Sequence, residues 1–587
     1  MKMKAAVMST LLSAAFAAAA LATPDSQYNM SLTDKPVTAH NGAIVHPDAA
    51  TVDAMWDIEE KTVTRIAEGI YRIAGWGLSN SIAVQGPEGW VIVDAGDNLE
   101  AATEQRRALE DQVGKITVAG VVYTHSHYVW GARAWQDEGT LFYGHEDLVK
   151  ALNADQGVSI LSGNFMSRAV AQFGMLHPAQ GPDAFPSHLG FSAAKLAGTK
   201  AFVPPGVTFQ DDVVETHTIG GLTVEVLPSK TDVAESVAFY FPQKKLLVTN
   251  AINSGAIFNL YTLRGDWYRD PQVFINAADM VLSRDTEYHV DIHGSAKTGS
   301  ENVIASIQET RDQMQLIHDQ TYRAIALGKD AQEAAEWVYM PAELRQGNET
   351  YGQLESHVKR VYGARIGWMG WDVYDINPLP KAEFSGNIIA AMGGFDAVVS
   401  AARDANGRQS LDGWQWALYL TSELLIAQPA NAEVKAVRAE AARALGQRTS
   451  SANARGWYIT EALMQENKLV YGEQTVANLQ QLSQALGGLS PEKLAASPLD
   501  DNVQYLRYMI DPRLAEGKQV AFNVNFTEES QRYAIALRNG VVAINEQSNT
   551  GPSFNLSKDD WSELLTGKKT FSSLDPSLAV LDQAIGR

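Results

Sequence analysis

Two hydrophobic periods take turns along the chain, and they predict its elements. In residues 62–94 the apolar positions fall in short runs, Ile70-Tyr71-Arg72-Ile73, Ser81-Ile82-Ala83-Val84 and Trp90-Val91-Ile92-Val93, with Gly86-Pro87-Glu88-Gly89 between the last two. Such runs, broken by turn residues, predict paired strands. Residues 100–113 change to helical spacing and 116–123 return to a strand. Residues 223–228, 237–242, 246–248 and 288–293 read as further strands, and 163–190 as a loop-rich stretch with Pro178, Pro182 and Pro186. From residue 301 Val303, Ile304, Ile307, Met314 and Ile317 recur at helical spacing. A loop through Tyr351 and residues 367–380 precedes predicted helices over 388–392, 395–403, 411–425 and 432–445, in the style of stacked helical hairpins. After helices from about residue 474, Val520, Phe522, Val524 and Phe526 share one face of a strand, and Asn539-Gly540 joins strands 533–538 and 541–544 into a hairpin.

Chemistry enters where one strand ends. Val121-Val122-Tyr123 runs into Thr124-His125-Ser126-His127, so two imidazoles lie on one side of a short loop, placed either to share a metal ion or to act as polar caps. The chain has no cysteine, which excludes thiolate sites and disulfides and leaves His, Asp and Glu as ligands. All 12 histidines lie between His40 and His357, so imidazole chemistry belongs to the N-terminal two-thirds. On the strand 288–293, alternation puts His289, Asp291 and His293 on one face, and either histidine is a candidate.

Length and charge narrow the class. At 587 residues the chain is too long for one core, and about three domains are expected. A net charge of -21 argues against nucleic acid as a partner. Lys2 and Lys4, an apolar run from Ala5 and Ala20-Leu21-Ala22 before Thr23 form a secretory signal peptide over 1–22, which implies a periplasmic or secreted protein. No later run is long and apolar enough for a membrane span.

The histidine stretch resembles the T-H-x-H-x-D-H signature of the metallo-β-lactamase fold, and more narrowly its alkylsulfatase branch, over nearly the whole chain. The resemblance implies an α+β chain: a metallo-β-lactamase-like αββα sandwich over 23–330, an all-helical dimerisation domain over 331–465 and a C-terminal α+β sterol-carrier-like domain over 466–587. It implies metal ligands at His125, His127, Glu235 and His293, a brace from Asp94, and Arg264, in Thr262-Leu263-Arg264-Gly265, beside the sulfate. A planar fork of donors suits a tetrahedral oxyanion. The pattern is incomplete. Val129 and Trp130 stand where the family has Asp and the third His, and Ala251 stands where it has a bridging Glu. One zinc ion rather than two is therefore expected, with the Trp130 indole in part of the second ion's space.

Two functions follow from the resemblance. The first is a homodimeric zinc hydrolase of an anionic ester such as a primary alkyl sulfate, using zinc-activated water. The alternative is a catalytically silent periplasmic homologue that binds or assembles. The retained ligands favour the first, and the missing ones favour the second.

Overall fold

In the computed structural model the described residues are 28–156, 160–187, 189, 198–265, 267–345, 349–545 and 550–587. The expected signal peptide lies outside them. They form two compact units: the larger takes the chain up to Leu148 and Arg168–Ala477, the smaller takes Val149–Ser167 and Asn478–Arg587.

The larger unit holds two large sheets besides two short hairpins. The first has seven strands in chain order: β1 (Thr62–Ala67), β2 (Ile70–Ala74), β3 (Ser81–Gly86), β4 (Gly89–Val93), β5 (Val118–Val122), β6 (Leu141–His145) and β7 (Val207–Phe209). They are antiparallel as far as β4 and parallel beyond it. The second has six, β8 (Glu215–Ile219), β9 (Leu222–Pro228), β10 (Val237–Phe241), β11 (Leu246–Thr249), β12 (Tyr288–Asp291) and β13 (Lys297–Thr298), with only β11 and β12 parallel.

Alternation builds the layers. On β10, Val237, Phe239 and Phe241 join Val84, Val93, Val122 and Phe209 in the core between the sheets. Ala238 and Tyr240 face the other way, into a cluster with Ala277 and Val281 of α3 (Pro271–Leu282) and Ile307 of α4 (Ser300–Ala326). Helix α1 (Leu99–Val113) follows β4, and α2 (Ser162–Gln172) precedes β7. Two sheets with helices outside are an αββα sandwich, as the resemblance implied. Helices α2 and α3 were not predicted: α2 was read as loop because its ends are fixed by neighbours rather than by propensity. In the smaller unit a Cβ on Gly163 would come 2.7 Å from Gly487 Cα, and in the larger one a Cβ on Gly456 would come 1.9 Å from Gln172 O.

The helical part of the larger unit comprises α5 (Ala331–Trp337), α6 (Leu354–Ile366), α7 (Lys381–Ala391), α8 (Phe395–Gly407), α9 (Leu411–Ala427), α10 (Ala432–Gly446) and α11 (Ala452–Gln465). Gly393 and Gly394 turn α7 into α8 at φ 94° and 101°, in the left-handed region that suits glycine. A small hairpin, Val470–Tyr471 with Gln474–Thr475, also groups with this unit, and the smaller unit resumes at Asn478.

In the smaller unit the sheet order is β16-β15-β14-β17, with β14 (Val520–Phe526), β15 (Gln531–Arg538), β16 (Val541–Asn545) and β17 (Ser553–Leu556). The strand β17 was missed by the sequence reading. Phe522, Val524 and Phe526 pack on Trp561, Leu564 and Leu581 in a core of its own. Among the described residues no single helix is long and apolar enough to cross a membrane.

Candidate metal centre

The site is built at the C-terminal ends of strands, where loops from both sheets meet. Val93 of β4 pairs with Val122 of β5, which sets Asp94 beside Thr124. The buried Asp94 carboxylate accepts from Thr124 N at 2.8 Å and from Thr124 Oγ1 at 2.7 Å. Thr124 Oγ1 lies 2.9 Å from His125 Nδ1 and accepts its proton. That chain fixes the ring and leaves Nε2 as the ligand atom. Asp94 thus reaches His125 through Thr124, and burial pushes its carboxyl up to about 7. Burial, and then the neighbouring His127, push the His125 imidazole down to about 3, so it is neutral at working pH.

The carboxylate that joins the two histidines is Asp232. Its Oδ2 lies 3.3 Å from His125 Nε2 and 3.1 Å from His127 Nδ1. The three ligand atoms lie within 4.8 Å of one another. Asp232 stands in a turn closed by Ser229 N donating to Ser236 O at 3.0 Å and by Thr231 Oγ1 donating to Asn250 O at 2.6 Å. Its other oxygen, Oδ1, accepts from Arg269 Nη2. Burial alone would raise this carboxyl, but the Arg269 guanidinium and both imidazoles hold it well below the usual range. His125 Nε2 is fully buried with no hydrogen-bond partner among the described residues. An orphaned ring nitrogen, a second imidazole and one anionic oxygen aimed at both form a donor set that fits zinc.

Two expected ligands lie elsewhere. Glu235 stands outside this trio, and its Oε1 accepts from Ser126 N at 3.3 Å, the backbone link between the two histidines. Sequence spacing could not decide between carboxylates three residues apart in one turn. His293 is also outside the trio. Its Nε2 lies 3.4 Å from Tyr128 Oη, and Trp56 and Phe258 stand 6.0 and 6.4 Å from its ring. Tyr128 sits between: its ring is 5.3 Å from both His125 and His293. His289, the other candidate on that strand, is also outside the trio, and its Nε2 lies 2.7 Å from Thr249 Oγ1. Asp291, between the two, accepts from Ile252 N, Asn253 N and His293 N.

The expectation for Trp130 needs correction. Its indole lies 6.1 Å from Phe202 with Lys200 Nζ 4.5 Å above it, while Val129 is buried and bridges Gly96. The side chain between the histidine pair and His293 is the Tyr128 phenol, which a motif comparison treats as a free position.

Beyond Asp232 the site continues through Arg269. Its Nη1 donates to Asn259 O at 2.9 Å and its guanidinium lies 5.3 Å over Phe258. Asn259 and His357 are both fully buried. Asn259 Oδ1, Asn259 Nδ2 and His357 Nε2 have no hydrogen-bond partner among the described residues. They meet at Gly352, where a Cβ would lie 2.2 Å from Asn259 Oδ1 and 2.5 Å from His357 Nε2. Burial, and next the Arg269 charge, push His357 down to about 3. Arg264, the expected sulfate ligand, is half-buried in a turn whose Arg264 N donates to Gln172 Oε1 at 2.7 Å. The arginine on the metal trio itself is Arg269.

Comparison with known proteins places this geometry. Residues 74–250 match the metallo-beta-lactamase superfamily, 330–468 the family described as alkyl sulfatase dimerisation, and 488–577 that described as alkyl sulfatase C-terminal. The chain belongs to the alkylsulfatase branch of the metallo-β-lactamase superfamily. Among curated members of the branch, it is 28% identical over 476 residues to a linear primary-alkylsulfatase of a Pseudomonas species, covering 78% of this chain and 87% of that protein. An (R)-specific secondary-alkylsulfatase, also from Pseudomonas, is 27% identical over 487 residues, 81% of this chain and 71% of that one. The solved structure of the inverting sec-alkylsulfatase Pisa1 from Pseudomonas superposes with TM-score 0.75 at 21% identity, over 94% of this chain and 91% of that one, which is agreement in fold.

Proposed function

We propose that the chain is a metal-dependent hydrolase of sulfuric esters, exported to the periplasm or beyond, that acts on an alkyl sulfate with one zinc ion held by His125, His127 and Asp232. The observation that carries the reading is the Asp232 carboxylate, which presents one oxygen to two imidazoles while Arg269 takes the other. When bound there, zinc supplies Lewis acidity at the attacked bond.

The chain's own groups do the rest. Asp94 and Thr124 hold His125 in the tautomer that leaves Nε2 free to bind. The Arg264 guanidinium holds the sulfate, and the buried Asn259 amide and the Nε2 of the neutral His357 ring, whose Nδ1 accepts from Tyr261 N, give hydrogen bonds to its oxygens. Trp56, Phe258 and Tyr351 form an apolar wall. It excludes water from the anion and accepts an alkyl chain. Tyr128 stands beside the trio, which supports one ion rather than two. A homodimer built on the helical part and a sterol-carrier-like C-terminal domain that takes up a lipid chain complete the reading.

A second reading, a silent binding or assembly protein, draws support from the aromatic enclosure of His293. The two are separated by metal analysis after zinc loading and by turnover of dodecyl sulfate. About one zinc per chain, lost in His125→Ala, together with sulfate release, is expected. A zinc-loaded preparation that binds no metal overturns the hydrolase.

A further inference from the structure

We infer that Arg168 and Gln172 are positioning residues for Arg264. The inference rests on the reading of Arg264 as the sulfate ligand. The two lie four residues apart on α2 and so share one helical face. Gln172 is wholly buried, and its Oε1 accepts from Thr262 Oγ1 at 2.9 Å and from Arg264 N at 2.7 Å. Arg168 donates from Nε to Arg264 O at 2.6 Å and from Nη2 to Leu263 O at 2.7 Å. Three of these four bonds go to main-chain atoms. They set the path of residues 262–264 whatever side chains the turn carries.

The clamp is itself fixed. The Arg168 guanidinium lies 5.0 Å over the Trp457 ring, and Thr460 Oγ1 of α11 donates to Ala171 O at 3.3 Å. On the far side of the turn, Trp267 Nε1 and Arg269 Nε donate to Asp232 O. The turn carrying Arg264 is thus held between α2 and the metal-binding aspartate. Both anchors fix the main chain from which the long Arg264 side chain extends, and removing that freedom before the ligand arrives is what tightens binding.

Only Oε1 of Gln172 is used, since its Nε2 has no partner among the described residues. Gln172→Leu therefore removes the anchor at constant size, and Gln172→Glu restores an acceptor. In zinc-loaded protein, Gln172→Leu is expected to weaken octyl sulfate binding about tenfold by calorimetry, leave the zinc content unchanged, and speed amide exchange at residues 263–265 about tenfold. Gln172→Glu should recover most of both. In an Arg264→Ala background the same change should cost less than twofold in affinity, because the effect passes through Arg264. An unchanged exchange rate, or a full tenfold loss that persists without Arg264, overturns the inference. If Arg264→Ala alone binds octyl sulfate as well as wild type, the reading of Arg264 fails instead, and exchange at residues 263–265 still decides whether the clamp exists.

Discussion

At the residue scale the deciding feature is which carboxylate faces the histidines. Asp232 and Glu235 lie in one turn, yet Asp232 has an oxygen within 3.3 Å of both rings and Glu235 binds the Ser126 amide. Asp232→Asn is expected to reduce zinc affinity at least a hundredfold in competition with a chelating dye, with Glu235→Gln within tenfold of wild type. The reverse order would return Glu235 to the ligand set. Thr124→Val cuts the relay between Asp94 and His125 without touching a ligand atom. Loss of such an outer partner weakens metal binding by roughly 10- to 100-fold, and dialysis against buffered zinc measures it. What could be read in advance was the pair His125 and His127, because the signature keeps them adjacent in sequence. Asp232 lies in the turn after β9, Asn259 and Arg269 in the connection between β11 and α3, and His357 on α6, and no spacing rule ties them to the histidines. The one signal for His357 in the sequence is that it is the last histidine of the chain, and its position in the first turns of α6 was hidden because residues 354–366 suggested no element.

At the element scale the strands were legible and several helices were not. Strand runs such as 90–93 are short, apolar and bounded by turns, so burial on both faces leaves an unambiguous trace. Helices α2, α6 and α11 are instead packed on by other segments, and their pattern mixes glycines and buried polar groups. Arg455 on α11 is the extreme case. Buried to 1% exposure, it donates to Ile44 O, Pro182 O, Ala184 O and Gly446 O. One side chain therefore closes four carbonyls from three separate stretches of chain. Burial, opposed only in part by Asp183, lowers its pKa to about 10, which still leaves it charged at neutral pH. Arg455→Met keeps the volume and strands the carbonyls, and a loss of about 3–5 kcal/mol is expected in urea unfolding of the larger unit. A loss below 1 kcal/mol would mean that the loops close on themselves.

At the scale of the whole molecule, buried histidines set the acid limit. Burial pushes His177 and His357 down to about 3 and His289 to about 4, from an ordinary value of 6.5. In each case the folded chain keeps a neutral ring while the unfolded chain takes a proton. Stability is therefore full above pH 6.5 and is lost as the pH falls toward 4 and 3, by roughly 2 kcal/mol per ring at pH 5. His289→Gln should show a drop in thermal midpoint between pH 7 and pH 5 smaller by that one increment, and an unaltered drop would assign acid lability to other groups. A different surface bears on the proposed homodimer. Between α6 and α7, Trp368, Trp371, Val373 and Ile376 are 78, 69, 75 and 53% exposed. The polar groups of this stretch are spent on its own backbone: Asp372 Oδ1 accepts from Tyr374 N, and Asp375 Oδ2 from Gly370 N. The apolar side chains are what it offers to a partner, inside the region that matches the dimerisation family. Large exposed apolar patches mark contact surfaces, and tryptophan anchors carry much of the binding energy where they are found. A second copy is the expected occupant. Trp368→Ala with Trp371→Ala should convert a dimer to a monomer in analytical ultracentrifugation at micromolar concentration, with the thermal midpoint of the fold unchanged because neither ring is buried. A dimer that survives the double substitution would place the interface on another face, such as that of α9, where Trp416 and Tyr419 stack at 5.2 Å.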